Sequence, residues 1–486
     1  MSSKTKELEL PTDIESCHDL IRTLLGMIEA QQQKHEAQLG EMASKIAGLE
    51  ARLNQNSRNS SRPPSSDVFK KQPGLPKLPK AKGGQNGHKG KTLFQTDYPD
   101  KVVVLGTESC VCGQKLDTSS GKIIQKRQVF DLPQPKLEVT EYQIVEQTCA
   151  CGCVYRGQFP AGVPASVQYG AGVRALTVLL NNSGQMSFEK ISTLFVDLFG
   201  YDLNESTAVS NNKLAFSNLE PTENQIKRKL EESQLVHADE TGLQVSSGKK
   251  ERYWLHTICT GLFTYLFVKP KRGIAAHSPD VSFLHDFKGW ILHDCYAFYF
   301  RFLKSRHALC GPHLLRELMA QIEAGKTWAK TLHEMLIDLY LKSEKGTKTV
   351  PNIEAEKQKW IETCQKAIAV EELLLPPPDP SNKKRGRAKR GKPLSLLDRL
   401  VKHSDAVLAF AEFEIVPFSN NQAERDLRPA KTKLKVAGCF RTPDGAHTYA
   451  RIQGFISTCR KHQLNVFNEL RAVCSTHSLY VAPFGC

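Results

Sequence analysis

Nothing in the sequence approaches the roughly 18 consecutive apolar residues that would span a bilayer; the run Leu262 to Val268 is only the length of one buried strand. The opening Met1-Ser-Ser-Lys-Thr-Lys-Glu has no apolar signal region. A membrane or secreted protein is therefore not expected, and a cytoplasmic one is. Cysteine is scarce for a disulfide scaffold, with 14 among 486 residues. In a reducing compartment, clustered cysteines point to metal instead. The length predicts about three or four domains of roughly 100–200 residues and a core large enough to need no covalent staples.

Charge is present but unevenly spread. The formal net charge is +15. Residues 51–92 hold ten Lys/Arg against one Asp, and residues 383–392 add seven Lys/Arg with no acid. The rest of the chain is therefore near neutral. Two concentrated basic segments on a neutral body fit a polyanion, most simply nucleic acid, although solvated linkers would share this composition.

Apolar residues at Ile21, Leu25, Ile28, Leu39, Met42, Ile46, Leu49 and Leu53 follow alternating steps of four and three, interrupted by Gln32 and His35. This 3.5-residue period predicts a coiled coil over 1–56 and a homo-oligomer. Residues 57–100 read as a basic linker too rich in Pro, Ser, Gly and Lys to order itself. From 101 to 165, Cys110-Val-Cys112-Gly and Cys149-Ala-Cys151-Gly flank segments such as Leu137 to Val145 that read as strands. Four thiolates suit a tetrahedral structural Zn2+ in a zinc-ribbon-like module. The spacing is tighter than usual and Cys153 is a fifth candidate, so reduced, unligated thiols stay open. Residues 166–228 read as a helical module. Gly200 ends its second helix and Ser206 is placed to cap a third, which allows a helix-turn-helix or a plain connector.

Residues 229–311 have an α/β rhythm. A strand from Gln234 ends in His237-Ala238-Asp239, a hairpin turns at Thr260-Gly261, a helix is expected next, and a strand from Gly289 ends in His293-Asp294. Arg306 to Cys310 reads as a further strand. Residues 312–415 read as a helical insertion with a basic linker. Within 416–486, Asn420-Asn-Gln-Ala-Glu424-Arg425 opens a helix. Two strand-end Asp and a helical Glu suit hard Mg2+ or Mn2+, and two such ions can clamp both oxygens of a phosphodiester exchange. Singly, each acid reads as easily as a turn cap or an ion-pair partner. Arg425, Arg428, Lys431, Lys433 and Lys435 are candidate phosphate contacts. Cys310-Gly-Pro-His313 reads as a packed Cys and a core or capping His.

In order, these motifs resemble the insertion-sequence-66 class of bacterial transposases. The resemblance runs through Asn59-Ser-Ser-Arg-Pro-Pro-Ser-Ser-Asp67, Gly83-Gly-Gln-Asn-Gly-His-Lys-Gly90 and the Cys pairs. It continues in His237-Ala-Asp-Glu-Thr-Gly242, His293-Asp-Cys-Tyr296, Arg306-His-Ala-Leu-Cys310, Asn420-Asn-Gln-Ala-Glu-Arg-Asp-Leu-Arg428 and Gly438-Cys-Phe-Arg441. It implies a multidomain α/β protein with a ribonuclease-H-like core, and an Asp239, Asp294, Glu424 triad holding Mg2+ or Mn2+. It further implies cleavage at mobile-element ends with strand transfer into target DNA, a nucleoid-associated location and small accessory proteins from the same element. The family usually spaces its first Cys pair one residue wider, and commonly has Gly where Cys295 stands. A nuclease of the same fold without strand transfer, and a catalytically inactive DNA-binding descendant, are the alternatives.

Overall fold

The computed structural model describes residues 13–55, 59, 93–246, 250–344, 346–374, 390–475 and 480–484. Most of the first basic segment, and 383–389 of the second, lie outside the described residues. Contacts divide the chain into two compact units. One comprises Met1–Lys70, Pro221–Leu464 and Val481–Cys486, and the other Lys71–Glu220 with Asn465–Tyr480.

The 3.5-residue stripe lies on one long helix, α1 (Ile14–Leu53). Its seam side chains are all at least half exposed, from Ile21 at 52% to Leu53 at 83%.

In the second unit, the cysteine-bearing segment forms a short antiparallel hairpin of β1 (Glu146–Thr148) and β2 (Val154–Arg156). The strand expected over Leu137 to Val145 does not form. Alternation needs a face to bury, and Leu137 is the one residue of this span that is not exposed. Helices α2 (Ala171–Asn182), α3 (Phe188–Phe199) and α4 (Glu205–Asn218) follow. Gly200 ends α3 in the left-handed region, φ 70°, as its position predicts. The α4 cap is Asn204 rather than Ser206: the Asn204 side chain accepts from the Ser206 N–H at 2.8 Å. Ile191, Phe195, Leu203 and Ala208 form a small core. Three buried side-chain hydrogen bonds join α2 to α4: Asn182 donates to Asn212 Oδ1 (3.1 Å), Asn212 to Asn181 Oδ1 (2.9 Å) and Asn211 to Thr177 Oγ1 (3.0 Å). The chain's last helix, Val466–Ser475, returns to pack on α2 and α4, burying Leu470, Val473 and Cys474.

In the first unit, α5 (Glu220–Glu231) leads into β3 (Leu235–Ser246), β4 (Lys250–Cys259) and β5 (Thr264–Lys269), an antiparallel meander. β6 (Trp290–His293) and β7 (Arg306–Leu309) add in parallel on the other side, giving the order β5-β4-β3-β6-β7. The hairpin at Thr260-Gly261 forms as expected, closed by Thr260 N–H to Phe263 C=O (2.9 Å). The helix expected after it does not form. Pro270, Gly273 at φ 89° and Pro279 interrupt that stretch, leaving only short 3-10 turns at Ile274–Ala276 and Phe283–His285. β3 also runs seven residues beyond Asp239, because β4 pairs with it from His237 to Ser246.

The insertion is helical: α6 (Gly311–Glu323), α7 (Thr327–Lys342), α8 (Ile353–Leu373), α9 (Gly391–Lys402) and α10 (Ser404–Glu412). Its apolar faces share one core with Leu292, Ala308 and Leu309 at the β6–β7 edge. α11 (Asn421–Ala437) and α12 (Pro443–Lys461) then return to the sheet. Leu427, Ala430, Tyr449 and Ala450 pack on Leu243, Val245, Leu255, Leu266 and Val268. α13 is the returning helix Val466–Ser475 described above.

Candidate active site

The register of two strands sets the site. β3 pairs with β6 in parallel only from Leu235 to His237, and His237 stands opposite Leu292. Asp239 and Asp294 each follow that last pair by two residues. They lie level with each other just past the β3–β6 pairing, Asp294 where β6 has finished and Asp239 within β3, which runs on. Side chains alternate along β3, so Asp239 shares the face of Leu243 and Val245, against which α11 packs, and Glu240 takes the other face.

Asn420, buried to 1%, fixes α11 over that end. Its Nδ2 donates to Ala238 C=O (2.9 Å), its Oδ1 meets His237 Nδ1 (2.9 Å), and its backbone N–H donates to Cys310 Sγ (3.2 Å). Glu424 is one turn along, its N–H bonded to Asn420 C=O. Behind the helix Asp426 is buried in a polar knot with Lys461 Nζ (2.7 Å), Thr264 Oγ1 (3.1 Å) and Ser457 Oγ (3.0 Å). The sequence reading missed both anchors, although each lies inside a motif it quoted.

The electrostatics mark accumulated negative charge. Burial first, then the charges of Asp294 and Glu240, push the Asp239 carboxyl well above the usual carboxylate range; Lys431 pulls the other way. Glu240 is raised by burial and by Asp294, while Tyr299 and Arg272 oppose the shift. Tyr299 Oη and Arg272 Nε both donate to Glu240, each at 2.7 Å. Arg272 lies over the rings of Trp254 (4.7 Å) and Tyr296 (3.9 Å). This network draws the loop after Asp294 onto β3. Cys295 is in the left-handed region at φ 71°, the conformation glycine adopts freely. His313 Nε2 lies 3.9 Å from Glu424 Oε1. Burial and then Arg316 hold its imidazole below the ordinary value, against the pull of Asp294 and Glu424.

Carboxylates suit a hard divalent cation, and the repulsion among Asp239, Asp294 and Glu240 is charge that a cation would relieve. Among the described residues, no group of three or more His, Cys, Asp or Glu side chains is spaced to hold a metal ion. The same holds for the cysteines. Cys110 and Cys112 share one turn, with Gly113 N–H bonded to Cys110 C=O and Gly113 at φ 87°. Cys149, Cys151 and Cys153 share a second, with Gly152 N–H bonded to Cys149 C=O and Gly152 at φ 84°. In each, an amide aimed at sulfur lowers a thiol, Cys112 N–H for Cys110 and Cys153 N–H for Cys151. The turns have a metal-knuckle form but are not gathered into one site.

Arg428, Lys431 and Lys435 follow Glu424 at four, seven and eleven residues, one stripe of α11, and all three are exposed, as is Arg425. Lys433 departs from them. It is half-buried over the Tyr449 ring (5.2 Å), and burial lowers its ammonium to about 8.

Asp239 and Asp294 thus lie level on neighbouring strands of a mixed sheet, beside a helix with a cationic stripe. The sequence profile described as the transposase IS66 family matches residues 166–448, more than half of the chain, and the chain belongs to that family. A second profile, a family of unknown function (DUF6444), matches residues 7–93. No curated protein matches the chain. No described helix is long and apolar enough to cross a membrane.

Proposed function

We propose that the protein is a metal-dependent DNA transposase that cleaves strands at the ends of a mobile element and joins them to target DNA. The carrying observation is the level placement of Asp239 and Asp294 on neighbouring strands, with α11, which bears Glu424, tied to β3 beside them by Asn420. The order β5-β4-β3-β6-β7, antiparallel then parallel, supports a ribonuclease-H-like reading of the core.

Asp239, Asp294 and Glu424 would hold Mg2+ or Mn2+, which when bound supplies Lewis acidity to the attacking and leaving oxygens of the phosphodiester. Arg428, Lys431 and Lys435 would neutralise successive phosphates beside the acids without reading sequence. Glu240, held by Tyr299 and Arg272, would keep the Asp294 loop against β3. Cys110, Cys112, Cys149 and Cys151 would hold a structural Zn2+ once their two turns close on each other. Metal analysis of fresh protein should then find close to one zinc per chain, lost in Cys149→Ser. Self-pairing of α1 would bring two protomers, and so two element ends, together, and accessory proteins of the element would join them.

The test is incubation of the full chain with candidate element ends and Mg2+, scored for cut and for joined product. Asp239→Asn, Asp294→Asn and Glu424→Gln should each lower cleavage by about three decades while sparing DNA binding. Cutting without joining would favour the nuclease. DNA binding without either would favour the inactive descendant.

A further inference from the structure

The Cys310-Gly311-Pro312-His313 turn reads in sequence as packing, and Cys310 does pack, 1% exposed, with its Sγ accepting from Asn420 N–H. His313 has a second relation. Its Nε2 lies 3.9 Å from Glu424 Oε1, beyond a hydrogen bond but within one small side-chain rotation of it. The approach is built rather than accidental. Gly311 N–H donates to Phe418 C=O (2.9 Å), and Asn420 N–H to Cys310. The backbone leading into α11 is thus stapled to the backbone that carries His313. Position 311 has to be glycine for this, since a Cβ there would lie 2.1 Å from the Phe418 ring.

The other ring nitrogen, Nδ1, is buried and has no hydrogen-bond partner among the described residues. A proton on Nδ1 would bury a donor with no acceptor and turn the Nε2 lone pair toward a carboxylate. A proton on Nε2 leaves an unpaired acceptor at Nδ1 in place of an unpaired donor, removes the lone-pair repulsion and aims a donor at Glu424. Glu424 itself is a long side chain with rotamer freedom to lose, and something must hold its carboxylate toward the strand-borne acids.

We propose that His313 is a positioning residue of the catalytic centre, its Nε2–H holding the Glu424 carboxylate turned toward Asp294. The inference rests on the transposase reading above. It is tested on the full chain by two readouts: cleavage of element ends, and Mn2+ binding followed by the spectroscopic signal of the free ion.

His313→Met removes the donor at similar volume, and His313→Gln returns an amide N–H near the place of Nε2. The Met variant should lose 10- to 100-fold in cleavage and in Mn2+ affinity, the range for a group that orients a metal ligand. The Gln variant should recover most of both. Wild-type values in His313→Met overturn the proposal, as does equal impairment of both variants with unchanged Mn2+ affinity. If His313→Met fails to fold, His313→Asn, whose shorter amide falls near Nδ1, replaces it, and activity equal to His313→Gln overturns the proposal. Glu424→Gln is the control. Unchanged Mn2+ affinity there removes the role of Glu424 and this inference together. A loss there without a loss in His313→Met removes this inference alone.

Discussion

Burial and the charges of Asp294 and Glu240 make the ionised Asp239 a destabilising group at neutral pH. Its folded pKa lies above its unfolded one, so stability is lost as pH rises from the ordinary carboxylate value through the folded value. Asp239→Asn should therefore raise the melting temperature at pH 7 while removing cleavage; an unchanged or lower melting temperature would contradict this origin of the strain. His256 has the opposite sense for stability. Buried and stacked on Phe267 at 5.0 Å, it is lowered by burial to about 4. Between the unfolded value, about 6.5, and that figure, the unfolded chain binds a proton that the folded chain refuses. Its contribution is complete above this window and falls on acidification, by up to about 1.4 kcal/mol per pH unit. His256→Phe keeps the stack and should flatten the fall of the urea midpoint between pH 6.5 and 4. Equal slopes for the two proteins would exclude His256 as a source.

At the scale of elements, α11 is the part on which the site depends. Glu424 and Asp426 are two residues apart and point to nearly opposite sides of the helix. Asp426 and Lys461 form a buried ion pair, 7% and 10% exposed at the side chain, that pins the back of α11 to α12 and β5. Lys461→Met would strand a buried carboxylate and should cost about 3–5 kcal/mol. Adding Asp426→Leu should recover much of it, as chemical denaturation of the two variants would show. Such partners are illegible in a sequence, since Asp426 and Lys461 are 35 residues apart in different helices. Local signals read well: the hairpin at Thr260-Gly261, the left-handed Gly200 and the α1 stripe each depend on near neighbours. Asp239 was expected at a strand end and lies inside β3, because β4's pairing, a tertiary matter, carries the strand on to Ser246. The approach of His313 to Glu424, 3.9 Å, was not legible because the two are 111 positions apart.

For the whole molecule, the exposed stripe on α1 is a long row of large apolar side chains open to solvent. Burying each of Leu39, Met42, Ile46, Leu49 and Leu53 against a second copy would contribute roughly 1.5–3 kcal/mol. Ile46→Lys with Leu49→Lys should leave the full protein monomeric in sedimentation and able to bind one DNA end, but not to pair two. A wild-type protein that is itself monomeric at micromolar concentration would show that this stripe meets something other than its own copy.

The helical unit is begun by α2 and α4 and finished by the last helix, α13, whose Val473 C=O accepts from Asn218 Nδ2 (2.9 Å). The sheet and its helices, Pro221–Leu464, are synthesised between them. At roughly 5–20 residues per second on the ribosome, the early helices wait roughly 15–60 s for their closing partner. A broken message or premature stop thus yields a chain whose helical unit is unfinished, however complete its sheet. The completed unit is presented only by polypeptides translated through α13, so the order of the gene acts as a check on the integrity of its product.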